Sequence, residues 1–354
     1  MSKYRVIVGN SLITLVTIAG LSIPACRVPN LPLCERPARV GKFEVERIKD
    51  VDYYCCLESD SGRHHQLDLF LPKGQKDFPV VVLVHGGAWM VGDNRCCGLF
   101  SSVGEFFARQ GIGAVLPNYR QSPTIKHPEH VKDVARAIGW TRKNTADFGG
   151  CRDKLFLAGH SAGGHLVALV VTDDRYLKEE GLSSADIKGV ITVSGVYHLP
   201  AGKMETTLGG VNAAAFRLDE ITPLRRAGSH GLLSLTSGIP MKLNVFSPVF
   251  GDDPNVREDA SPLNHVRPGL PPFLIFSAER DLPTLPGMAE EFHQALLAKG
   301  CAARLVQIPN RNHNSIIFHA TAPDDPVARE MLDFIRSLQT ARGVEPNQVG
   351  EVDP

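Results

Sequence analysis

The chain has no surplus of either charge: 38 Lys and Arg balance 38 Asp and Glu over 354 residues. That balance gives no electrostatic footing for nucleic acid or for an anionic membrane surface. There is no Walker-type phosphate loop and no Gly-x-Gly-x-x-Gly turn, so nucleotide and dinucleotide cofactors have no cradle to bind. There is no Cys-x-x-Cys. The eight cysteines (Cys26, Cys34, Cys55, Cys56, Cys96, Cys97, Cys151 and Cys301) lack metal-ligand spacing. No internal repeat is present, which excludes solenoids and propellers. The chemistry is therefore expected to need neither metal nor cofactor, and to rest on side chains alone.

What is present suits one large α/β domain: 43% of the residues are hydrophobic, ample for a sizeable core. At the N-terminus Lys3 and Arg5 precede an apolar stretch, Val6–Ile23, and then Pro24-Ala25-Cys26. A basic start, an apolar middle and a small residue before a cut read as an export signal over residues 1–25. The box also loosely resembles a lipoprotein leader with Cys26 as the lipidated residue, and the stretch is nearly long enough for an uncleaved anchor. A membrane enters the expectations only through that lipid or anchor, and the location expected is periplasmic, cell-surface or secreted. Export permits disulfides, and the neighbours Cys55-Cys56 and Cys96-Cys97 could cross-link their segments, but pairing is not readable from spacing.

Residues 26–42 read as a Pro- and Arg-rich linker, 43–340 as the folded domain and 341–354 as a disordered polar tail. Strand-like runs Phe43–Ile48 and His65–Leu71 flank a polar turn. Phe78–His85, Ile112–Leu116, Leu155–Ala158, Ile187–Ser194, Phe273–Ser277 and Ala303–Ile308 read as strands, the apolar ones as strands covered on both faces. Helical periods run over Cys97–Gln110, His130–Asn144, Gly164–Val171, Met288–Lys299 and Pro326–Gln339. Alternation of strand and helix predicts a mostly parallel sheet with helices on both faces and chemistry at the strands' carboxyl ends. Residues 198–262 lose regular period and are expected to form a small cap insertion.

The organising stretch is Lys154–Val171, with Gly159-His160-Ser161-Ala162-Gly163 between a strand and a helix. A Gly-x-Ser-x-Gly on such a turn pushes the serine hydroxyl out beside a helix N-terminus. A serine needs a base in reach, and the base needs an acceptor on its other nitrogen. Strand-end logic selects His313, after Ala303–Ile308, with His319 in reserve. It selects Asp281, after Phe273–Ser277, with Glu279 read as structural. An oxyanion needs donors, and the backbone N–H groups of Gly86, Gly87, Ala88 and Ala162 are the candidates. His85 reads as a holder of that loop.

His85-Gly86-Gly87-Ala88-Trp89, Asn118-Tyr119-Arg120, Gly159-His160-Ser161-Ala162-Gly163-Gly164, Glu279-Arg280-Asp281 and Asn312-His313-Asn314-Ser315 together resemble the α/β-hydrolase superfamily. The likeness is to its hormone-sensitive-lipase-like esterases and kynurenine-formamidase-like hydrolases, over Phe78 to Gln339. Ala88 stands where the lipase group usually has a third glycine, and the Ala-Trp ending is closer to the formamidase-like and xylan or feruloyl esterase-like branches. The resemblance implies the α/β-hydrolase fold, with Ser161 as nucleophile, Asp281 as acid, His313 as base and Gly86–Ala88 as oxyanion loop. The activity it implies is that of a serine carboxylesterase on short acyl esters; with the export-like N-terminus, the expected substrates are small-molecule or polysaccharide-borne esters outside the cytoplasm, acetyl or feruloyl groups among them. Two rivals share the scaffold: an arylformamidase-like or peptidase-like amide hydrolase, and a catalytically dead binding protein.

Overall fold

The computed structural model describes residues 41–54, 63–95, 98–200 and 246–340. The expected leader, most of the linker, the polar tail and the greater part of the cap lie outside the described residues. So do six cysteines; Cys151 and the buried Cys301 are free thiols.

Eight strands form one sheet in the order β1-β2-β4-β3-β5-β6-β7-β8. They are β1 (Val45–Asp52), β2 (Gln66–Pro72), β3 (Phe78–Val84), β4 (Gly113–Pro117), β5 (Gly150–His160), β6 (Gly189–Val193), β7 (Phe273–Arg280) and β8 (Ala303–Asn312). β2 pairs antiparallel with both β1 and β4, and every other pairing is parallel. The helices are α1 (Leu99–Arg109), α2 (Glu129–Asn144), α3 (Ala162–Thr172), α4 (Asp174–Glu179), α5 (Ser247–Phe250), α6 (Pro254–Asp259), α7 (Leu285–Ala298), α8 (Ser315–Phe318) and α9 (Pro326–Thr340).

Two apolar cores cover the two faces, as the period-2 side-chain alternation of a strand requires. Val80, Val82 and Val84 of β3 point to one, with α2, α3 and α7. Val81 and Leu83 point to the other, with α1 and α9. All seven residues of β3 are buried, which is why that stretch reads as an unbroken apolar run.

Three departures from the pattern have physical causes. β5 begins at Gly150, ahead of the apolar run, which the sequence hides because Arg152 and Asp153 are exposed, Cys151 and Lys154 are half-buried, and the four carry no hydrophobic signature. In the described part of the expected cap, α5, α6 and a turn of 3-10 helix at Pro262–His265 are regular structure. Helices of four to six residues are too short to show a period. Helix α7 begins at Leu285, ahead of the expected Met288, with a proline in its first turn, where the missing N–H costs nothing.

Charged side chains brace the sheet's outer half. Asp68 on β2 is buried and accepts from Arg47 and Arg95. Burial pushes its carboxyl up, but the two guanidiniums more than offset that and hold it at about 2. Asp133 on α2, also fully buried, accepts from the backbone N–H and guanidinium of Arg120 and from Arg136. Burial again opposes ionisation, and His65 and Arg120 overcome it, so the carboxyl lies far below its ordinary range.

Asp133→Asn keeps the volume but removes the buried charge that Arg120 and Arg136 grip, and is expected to lower stability by about 1–3 kcal/mol. A carboxyl depressed in the folded state stabilises fully above its unfolded value of about 4 and loses that contribution as pH falls. The gap in urea midpoint between wild type and variant should therefore be widest at pH 7 and narrow below about pH 4; a gap that widens on acidification contradicts this assignment.

Candidate active site

The sharp turn from β5 into α3 is a backbone-contact problem before it is a chemical one. A Cβ on Gly159 would lie 2.3 Å from the Gly163 carbonyl oxygen, and one on Gly163 would lie 2.2 Å from the Val84 carbonyl oxygen. Only glycine fits at either place. Between them Ser161 is held at φ 54°, ψ −117°, outside the regions ordinary side chains favour. Its N–H donates to the Val193 carbonyl at the end of β6, 2.9 Å away, and its hydroxyl stands at the head of α3.

His313 follows β8 and meets this serine. Its Nε2 is 2.9 Å from Ser161 Oγ, and its Nδ1 is 2.7 Å from Asp281 Oδ1. With Nδ1 protonated, the ring donates to the carboxylate and Nε2 is left to accept from the hydroxyl. Asp281 is fully shielded from solvent and His313 nearly so. Asp281 Oδ1 also accepts from the Leu282 N–H, and Oδ2 accepts from the Ala278 N–H and from the Ser194 hydroxyl. Burial raises the Asp281 carboxyl, but the His313 contact and these donors outweigh it and keep it below the usual carboxylate range.

The His313 loop is fixed from both sides. Asn312 Oδ1 accepts from the Asn314 and Ser315 N–H groups, and Ser315 Oγ accepts from the Asn312 N–H. The His160 ring, buried under the elbow, donates from Nε2 to the His313 carbonyl at 2.8 Å. Burial and the neighbouring His313 imidazole push His160 down to about 3, so it stays neutral. His319, the reserve base, caps α8, and the imidazole on Asp281 is that of His313. Glu279 accepts from the Asn310 N–H, a structural contact.

The loop after β3 is tightly folded over the elbow. A Cβ on Gly87, at φ 124°, would lie 1.8 Å from the Val91 carbonyl oxygen, and one on Gly86 would lie 2.9 Å from that of His160. Ala88 and Trp89 follow at φ 51° and 58°. Among the described residues, no backbone carbonyl accepts from the N–H groups of Gly87, Ala88 or Ala162. His85 donates from Nδ1 to the Gly86 carbonyl at 2.7 Å and stacks on Tyr119 at 4.4 Å. Burial lowers His85 to about 4. Trp89 Nε1–H donates to His165 Nδ1, and His165 Nε2–H donates to the Ala260 carbonyl. That relay ties the loop to α3 and to the return from the cap.

Several residues support the site in ways the sequence reading does not assign. Asn118-Tyr119-Arg120 proves to be a brace: Asn118 accepts from the Asn94 N–H, Tyr119 donates to the His85 carbonyl, and Arg120 grips Asp133. His160 and His165 flank Ser161, with nothing to separate them from ordinary core histidines. Ser194 directly follows β6, and a hydroxyl at a carboxyl end beside the elbow is the readable clue.

A family model described as BD-FAE matches residues 67–218. Esterase LipQ of Mycobacterium tuberculosis is 30% identical over 286 residues, 77% of this chain and 59% of its own length. Isoprenylcysteine α-carbonyl methylesterase of Arabidopsis thaliana is 29% identical over 258 residues, 71% of this chain and 54% of its own. The chain thus spans just over half the length of these curated relatives. Among solved structures, a truncated carbohydrate esterase from gut microbiota superposes with a TM-score of 0.63 at 19% identity, covering 86% of this chain and 99% of that one. The metagenomic carboxylesterase EstE1 gives 0.58 at 22%, covering 85% and 90%. At such identities the structural likeness is one of fold. Added to the strand order and the elbow, these likenesses show that the chain has the α/β-hydrolase fold.

Proposed function

We propose that the protein is a serine carboxylic ester hydrolase acting on short acyl esters, with acetyl or feruloyl groups on plant polysaccharide as the substrate class. The observation that carries this reading is the bridge made by His313, 2.7 Å from Asp281 and 2.9 Å from Ser161. In the proposed cycle, His313 Nε2 takes the Ser161 proton as the hydroxyl oxygen adds to the ester carbonyl. The negative charge develops on the former carbonyl oxygen, against the N–H groups of the Gly86–Ala88 loop and of Ala162. Asp281 keeps the ring in the tautomer with Nδ1–H and stabilises the imidazolium. The imidazolium then protonates the departing alcohol. Water repeats the sequence on the acyl-enzyme and frees the acid.

An ester is favoured over an amide because the compared relatives and structures are named as esterases. The sugar-borne substrate is supported by the name of one neighbour, a carbohydrate esterase, and by the export-like N-terminus.

Ser161→Ala is expected to cut p-nitrophenyl acetate turnover by at least about a thousandfold while leaving the unfolding midpoint within error. Retention of most of the activity contradicts the assigned nucleophile. For the export reading, cell fractionation of the full chain should find the protein outside the cytoplasm with residues 1–25 removed; an intact N-terminus in the cytoplasmic fraction contradicts it.

A further inference from the structure

Seven non-glycine residues have positive φ among the described residues: Asp50, Asp77, Ala88, Trp89, Ser161, Ser194 and Asn310. Asp and Asn tolerate that conformation. The remaining four do not favour it, and three of them, Ala88, Trp89 and Ser161, form the oxyanion loop and the elbow. The fourth is Ser194, at φ 49° just beyond β6. Glycine would adopt this backbone freely, so retention of a side chain here calls for a reason, and the reason is in its contacts.

Ser194 is 2% exposed. Its N–H donates to the Phe276 carbonyl, which fixes the residue against the end of β7. Its hydroxyl donates to Asp281 Oδ2, the oxygen that His313 does not use. Three other buried hydroxyls in the fold keep their proton local. Thr141, Thr172 and Ser261 each donate to the carbonyl four residues back on their own helical turn. Ser194 instead crosses 87 positions of sequence to reach a carboxylate. The positive φ is what carries its side chain there, since an extended residue at the end of β6 would continue the strand's alternation between the two faces of the sheet.

We propose that Ser194 is a positioning residue of the reaction. Its hydroxyl fixes the plane of the Asp281 carboxylate and keeps it ionised, and so sets the orientation and tautomer of His313. A carboxylate has two oxygens and can rotate. With Leu282 N–H and His313 on Oδ1, and Ala278 N–H and Ser194 on Oδ2, each oxygen has two donors. The backbone donors come from β7 and the residue after Asp281, His313 reaches in from the end of β8, and Ser194 ties the carboxylate to the end of β6 on the other side. This inference rests on the reading of Ser161, His313 and Asp281 as a triad.

The test compares Ser194→Ala and Ser194→Gly with wild type, in the full chain, by steady-state kinetics on p-nitrophenyl acetate across pH and by urea unfolding. Both variants should lose kcat by about tenfold, the usual scale for a group that orients a reacting side chain, with KM held within about twofold. The acid limb of kcat/KM should move to higher pH. Without the hydroxyl the carboxylate is more basic and holds the imidazolium proton more tightly, so a higher pH is needed to free the base. The glycine variant is released from the left-handed backbone constraint and should unfold at or above the denaturant concentration of the alanine variant. A kcat loss with the displaced limb in a glycine variant at least that stable supports the proposal. Wild-type kcat and pH profile in either variant overturn it, as does a kcat loss that leaves the limb in place. A wild type that neither hydrolyses the ester nor is labelled at Ser161 by a fluorophosphonate overturns the triad reading, and this inference with it; active wild type matched by its variants overturns the role of Ser194 alone.

Discussion

Everything at the carboxyl rim depends on one steric condition: β3, β5 and α3 approach each other at backbone contact. Gly163 lies so close to the Val84 carbonyl that a single methyl would collide with it. The approach lets the chain reverse within one residue after β5. That forces Ser161 into its unusual conformation, and that conformation turns the hydroxyl toward the space His313 enters. The neighbouring loop obeys the same condition, since Gly86 and Gly87 abut the His160 and Val91 carbonyls. The large buried apolar faces on both sides of the sheet outweigh the strain of these turns, as a rim of a few residues anchored in so extensive a core allows.

Around this rim the protein uses histidine as a neutral strut. His85, His160 and His165 are all buried, and burial lowers each below its ordinary value. An uncharged imidazole has one donor and one acceptor, so it can join two loops with a defined polarity. His165 does this between Trp89 and Ala260, and His160 reaches the carbonyl of His313. Because these rings are neutral through the ordinary pH range, the loops they join keep their hydrogen bonds when the solvent is mildly acidified.

Much of this is legible in the chain, and the limits are physical. The sheet is readable because β3, β6 and β7 are apolar on both faces, and short runs of that kind between turns suit strands buried in a parallel sheet. The meeting of Ser161, Asp281 and His313 is readable because each follows a strand, and parallel strands put all their carboxyl ends on one rim. The supports are not. Tyr119, His160 and Ser194 act through single hydrogen bonds to residues 34, 153 and 87 positions away. No local pattern names a partner that lies so far along the chain. α5 and α6 are silent because so short a helix leaves no period, and the early half of β5 because it is half-buried to exposed and polar.

The strand order has a further consequence. The elbow projects from the middle of the sheet, whereas His313 hangs from β8, which has a neighbour on one side only. Ser161, Asp281 and His313 therefore do not share one local stability. Ser161 and its glycines are locked until the sheet itself melts, while His313 rides on a border that can fray and re-zip. Heat should part the imidazole from the hydroxyl before it unfolds the protein, by letting the ring swing away from a serine that has not moved.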